Sequence, residues 1–191
     1  MARSDPDDFR IDIDLDHARR EGDRVRDMLM ALRRRHDLSR YEYTSIVRIV
    51  PGGDTFAQPV LTLGNRFATT EDELLATYLH EQMHWYLTKL KTADDGSPLI
   101  AELKRRYPAA PVGFPEGAND EYSTYLHLLV NWLEIEATSR FTGRERVEEI
   151  ARNKHYYRWM YRTVLEDWRP LEELYRSYDI VPIRPAGQLS D

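Results

Sequence analysis

The chain contains the stretch Leu79-His80-Glu81-Gln82-Met83-His84-Trp85, and the reading of the whole sequence turns on it. It holds the pattern His-Glu-x-x-His. On a helix, residues four apart leave the same face one turn apart, so His80 and His84 point the same way. Two neutral imidazoles so placed can grip one zinc ion at about 2.0–2.1 Å each. Glu81 projects about 100° around the helix from His80. It stands beside such an ion, where a carboxylate can take a proton from an activated water.

The flanking residues support a buried helix. Thr70 followed by Glu73 forms a capping box, so the helix should start near Glu71. Leu75, Leu79, Met83, Tyr86, Leu87 and Leu90 fill one broad apolar arc, and Leu74, Tyr78 and Trp85 a second. Thr77, His80, Glu81 and His84 form a narrow polar strip between them. A helix that is apolar nearly all round is buried, and a buried polar strip needs partners. A metal and its water would supply them.

A catalytic zinc site needs a third protein ligand. The chain has no cysteine, so the ligand must be His, Glu or Asp, and no disulfide or cysteine nucleophile is available. A second apolar helix is expected from about Asp120 to Arg140. Counting from His127, Asn131 falls at about 40°, Glu134 at about 340° and Thr138 at about 20°, while Glu136 lies on the opposite face. His127, Asn131, Glu134 and Thr138 thus form a polar strip that mates with the first. His127 and Glu134 stand about 10.5 Å apart along the axis, so one is a ligand and the other belongs to the wall of the site. Glu134 is preferred as the ligand, because a glutamate in a buried strip is hard to explain without a cation. His127 is then the first candidate for stabilising an oxyanion, followed by Tyr125 and Tyr122, with His155, Tyr156 and Tyr157 behind them.

The rest of the chain supplies a frame. Its 191 residues suffice for one domain with a real core. Residues 1–8 read as a polar, disordered lead, 9–181 as a single metallohydrolase domain and 182–191 as a flexible tail. Phe9 to Leu15 alternates with period two and reads as a short strand. His17 to His36 reads as an amphipathic helix. Tyr41 to Val50 and Phe56 to Leu63 read as strands, and Pro59 puts the latter at a sheet edge. A short helix is expected near 98–106 within a long loop, 92–120, that borders the site. Residues 144–168 read as one helix with Tyr157 inward, and a further short helix follows Pro170. The net charge of −6 argues against nucleic acid as a partner. No apolar run approaches the length of a membrane span, and no signal segment opens the chain. The expected setting is cytoplasmic.

The chain resembles zincin metallopeptidases, within them the gluzincins. The resemblance rests on His80-Glu81-x-x-His84 and on Glu134-Ile-Glu-Ala137, and covers roughly residues 17–140. Gluzincins often place an acidic or amide residue after that alanine; here it is Thr138. The resemblance implies an α+β, zincin-like fold. In it a small, mainly antiparallel sheet of three to four strands packs on the buried helix, with further helices C-terminal. It also implies zinc held by His80, His84 and Glu134, with Glu81 as general base, and a peptide or protein substrate lying along the strand at 56–63. Two alternatives stand beside this. One is a zinc-dependent tailoring hydrolase or lyase acting on a small molecule. The other is a non-catalytic zinc-binding regulatory module, against which the presence of Glu81 argues.

Overall fold

The structure is a computed structural model that describes residues 9–13, 19–64 and 69–189. The disordered lead expected over 1–8 lies outside these residues. The helix built around His80 is the centre of the molecule. It runs Glu71–Leu90 (here α2; α1 spans Arg19–Arg35) and begins where the capping box places it. The Thr70 hydroxyl accepts from the Glu73 N–H, while the Glu73 carboxylate accepts from the Thr70 N–H. Twelve of its twenty residues are buried, as a two-arc apolar helix requires.

A second buried helix, Glu121–Thr142 (α4; α3 is Pro98–Arg106), packs along α2. Asp120 caps its first turn by accepting from the Ser123 N–H, and Gly143 ends it in a positive-φ conformation. Trp132, Leu128, Leu129, Val130 and Leu133 are all buried, so α4 is apolar on nearly every side. Helices Arg144–Arg152 (α5), Arg158–Glu166 (α6) and Trp168–Ser177 (α7) complete the C-terminal half. Both α5 and α6 pack against α4.

The sheet has three strands, Arg10–Ile13 (β1), Ile46–Ile49 (β2) and Leu61–Leu63 (β3), in that order. Both pairings are parallel, with Arg10 opposite Ile46 and Val47 opposite Leu61. The mainly antiparallel sheet that the resemblance to gluzincins implies is therefore wrong. The physical reason lies in the connections. Helix α1 carries the chain from the end of β1 back to the start of β2, and a helical crossover of this kind joins parallel strands. Between β2 and β3 the chain doubles back. Phe56 makes an isolated antiparallel bridge with Thr62, and its N–H and C=O both bond to that residue, at 3.1 and 2.8 Å. The stretch 56–63 is thus not one strand. Its first part runs down the outer side of β3, and its last part is β3 itself.

Helix α2 fixes this sheet end through two polar side chains. Gln82 accepts from the backbone N–H groups of Tyr43 and Thr44 and donates to the Thr44 carbonyl. The Trp85 indole donates to the Ala57 carbonyl at 2.9 Å. The start of the segment expected as a tail, 182–191, is tied to the body at Ile183 and Arg184. Ile183 is buried, Tyr43 donates to the Arg184 carbonyl at 2.6 Å, and Arg40 donates to the Ile183 carbonyl.

Candidate metal centre

Helices α2 and α4 turn their polar strips toward each other. His80, His84 and His127 meet there, with one nitrogen from each lying within 4.8 Å of the others. Ring centroids are 5.1 Å apart for His80 and His84, 5.0 Å for His84 and His127, and 5.5 Å for His80 and His127. His80 and His127 are buried and His84 is half-buried. This histidine group could hold a metal ion.

Hydrogen bonds set which nitrogen two of the rings, His127 and His80, offer. The His127 Nδ1 lies 2.6 Å from the Ser123 carbonyl oxygen, which can only accept, so Nδ1 carries the proton and Nε2 keeps a lone pair. The His80 Nδ1 lies 2.9 Å from the Glu134 Oε2, and the same reasoning leaves its Nε2 available. Burial holds the His127 pKa down to about 3, and the neighbouring His80 works in the same direction. Burial also pushes His84 well below the ordinary histidine value, with His80 and His127 adding to it. Three imidazoles brought this close together are a donor set that a borderline-soft divalent cation takes.

The sequence reading preferred Glu134 as the ligand and His127 as the wall residue; the structure brings His127 to the two histidines of α2. His127 belongs to the histidine group. Glu134 stands behind His80, and its oxygens are engaged by three protein groups. His80 is one, the Tyr161 hydroxyl donates at 2.6 Å, and the Lys154 ammonium lies 3.9 Å away. Burial opposes the ionisation of Glu134, but Lys154, His80 and Tyr161 together keep its pKa below the usual range. The cation that explains this buried glutamate is Lys154.

Glu81 is buried beside the group and shares with its three imidazoles the wall of a cavity of about 690 Å³. Burial raises its pKa to about 7, with Glu134 adding to the rise and His80 and Lys154 opposing it. Of the other candidates, Tyr122 lines the cavity, but its hydroxyl is donated to the Ala93 carbonyl. Tyr125 is buried, and its hydroxyl is donated to the Tyr107 carbonyl at 2.7 Å. Tyr156 and Tyr157 line the cavity, and His155 is not among its lining residues.

The helix expected over 144–168 breaks at 153–157. Tyr157 takes a left-handed conformation there, φ 57°, which is uncommon for a bulky residue. Its ring lies tilted against that of His127, with centroids 4.1 Å apart. The break is also what carries Lys154 inward to Glu134. The sequence held a signal for it in Asn153, a turn former in mid-helix.

No protein-family model, curated protein or solved structure matches this chain. The site is read from its own geometry. Among the described residues no helix is long and apolar enough to cross a membrane.

Proposed function

We propose that the chain is a zinc-dependent hydrolase that cleaves peptide bonds, with His80, His84 and His127 as the ligands and Glu81 as general base. The observation that carries this reading is the convergence of three imidazoles from two helices beside Glu81, in the wall of one cavity. Three nitrogen donors with a remaining side turned to a cavity are the ligand set of a catalytic zinc, whereas structural zinc sites are closed by four protein ligands. Bound there, zinc supplies the Lewis acidity that activates a water molecule at neutral pH.

The chain's own residues supply the rest. Glu81 takes a proton from the attacking water and returns it to the departing amine nitrogen. Its pKa near 7 belongs to the protein without a cation, and a dication nearby favours the carboxylate that a base requires. Glu134 accepts from His80 Nδ1 and so fixes the ring with Nε2 forward. Tyr157 is the donor for the oxyanion. Burial above all keeps its hydroxyl protonated, with a pKa pushed up to about 12, and its ring stands against His127 at the cavity wall. The ligand set is three histidines rather than the gluzincin pair with glutamate.

Elemental analysis should find about one zinc per chain in the wild-type protein and in Glu81→Gln. With a random peptide mixture read by mass spectrometry, Glu81→Gln should cleave at least ~10²-fold more slowly. A zinc-loaded wild-type protein that cleaves no peptide, or a Glu81→Gln variant as fast as wild type, would remove this function.

A further inference from the structure

Four large apolar residues are notably exposed among the described residues: Ile46, Phe56, Val112 and Phe114, at 47, 45, 56 and 72%. Two of them, Phe56 and Phe114, line the cavity that holds the histidine group, and Val112 is two residues from Phe114 in the same loop. Scattered exposed apolar residues need no explanation, but their concentration at one cavity marks a binding surface.

Both phenylalanines stand on anchored backbone. Phe56 spends both its backbone groups on Thr62, and its neighbour Ala57 is held by the Trp85 indole from α2. Phe114 lies in a loop closed by the bond from the Gly113 N–H to the Ala118 carbonyl. The following carbonyls, of Pro115 and Glu116, accept from the N–H groups of Arg158 and Trp159 at the start of α6. Gly117 lets this loop fold tightly, since a Cβ there would stand 2.1 Å from the Pro111 carbonyl oxygen. Side chains left exposed on so tied a backbone are presented at little further ordering cost. The charged residues of the described cavity wall outside the histidine group are Glu81, Asp54 and Asp94, all acidic.

We propose that this rim selects the substrate: a polypeptide segment with a bulky apolar or aromatic side chain beside the bond to be cut, and no acidic side chain there. The inference rests on the proposed peptidase reading. Phe56 and Phe114 cover the substrate's apolar side chain, which leaves water on binding. Asp94 in the same wall repels a carboxylate there.

Equilibrium binding of the zinc-loaded protein to three end-capped peptides, identical except for a central Phe, Ala or Glu, tests it. The Phe peptide should bind at least about tenfold tighter than the Ala peptide, with the Glu peptide weakest. In Phe56→Ala/Phe114→Ala, both exposed and so safe for folding, the Phe advantage should fall to within about twofold, with zinc content as in wild type. Equal binding of the Phe and Ala peptides, an advantage that survives the double substitution, or no binding of the Phe peptide would each overturn the proposal. Cleavage of the same peptides separates it from the parent reading. Cleavage without preference overturns the rim and leaves the peptidase; preferential binding with no cleavage leaves the rim and removes the peptidase.

Discussion

His127→Ala takes away one of three imidazoles, and isothermal zinc titration should find its site emptied or weakened by several orders of magnitude. Glu134→Gln keeps an oxygen that can accept from His80 Nδ1. It should therefore retain zinc, with an affinity lowered about 10- to 100-fold, as for loss of a partner that orients a ligand. The reverse outcome, zinc lost from Glu134→Gln and kept by His127→Ala, would restore Glu134 as the ligand. Glu134→Ala is a poorer probe. It strands the Lys154 ammonium in the interior, where breaking a buried pair costs about 3–5 kcal/mol. Tyr157→Phe removes one hydroxyl from the cavity wall. It should leave zinc content unchanged and lower kcat about 10²-fold if Tyr157 stabilises the oxyanion. A kcat within a factor of two of wild type on a peptide substrate would take Tyr157 out of the mechanism.

Each polar group of the site comes from one of three elements, and the elements differ in what holds them. Helix α2 is secured at its start by its capping box, a contact local in the sequence. Thr70→Ala should cost about 1 kcal/mol of stability in urea denaturation while zinc stoichiometry stays at one, since the cap lies more than two turns from His80. A loss of zinc in that variant at full folding would mean that the cap sets the geometry of the centre. Helix α4 places His127 and Glu134 on one strip, seven residues apart, so that the first joins the histidine group and the second reaches back to His80. The break between α5 and α6 brings in Lys154 and Tyr157 together. Helix α5 carries its apolar residues Val147, Ile150 and Ala151 inward, and the turn that follows sets Lys154 against Glu134.

Taken as a whole, the metal-free molecule carries opposing proton linkages at its centre. His84 and His127 have folded pKa values below the unfolded value of 6.5, so only the unfolded chain protonates them in mild acid. Their contribution to stability is present above 6.5 and is lost as pH falls. Glu81 is raised from 4.5 to about 7, so the folded protein holds its proton where the unfolded chain has lost it. That contribution is full below 4.5 and is lost as pH rises toward 7. Between about pH 5 and 6 the unfolded chain gains up to two protons against one kept by the fold. Stability of the chelator-treated protein should therefore fall on acidification, by at most about 1.4 kcal/mol per pH unit. Glu81→Gln removes the opposing linkage and should steepen the fall. Urea midpoints that stay flat or rise from pH 6.5 to 5 would show that the two imidazoles are not held neutral by the fold.

The sequence by itself determined the two buried helices and the strips of polar residues on them. Capping residues and a 3.6-residue period are local properties, and they placed Thr70, His80, Glu81 and His84 on α2 and His127 and Glu134 on one face of α4. They also placed α3 over 98–106. The direction of the strands was not legible, because alternation fixes which face a residue takes and says nothing about the neighbour's sense. The α1 crossover and the doubling back at Phe56 decided a parallel sheet. Nor could spacing along one helix settle the roles of His127 and Glu134. Both sit on the same strip, and the decision came from what each meets across the fold: two imidazoles of α2 for His127, and His80, Tyr161 and Lys154 for Glu134. A buried carboxylate demands a positive partner, and only the tertiary structure shows that a lysine twelve residues beyond the end of α4 stands 3.9 Å from it.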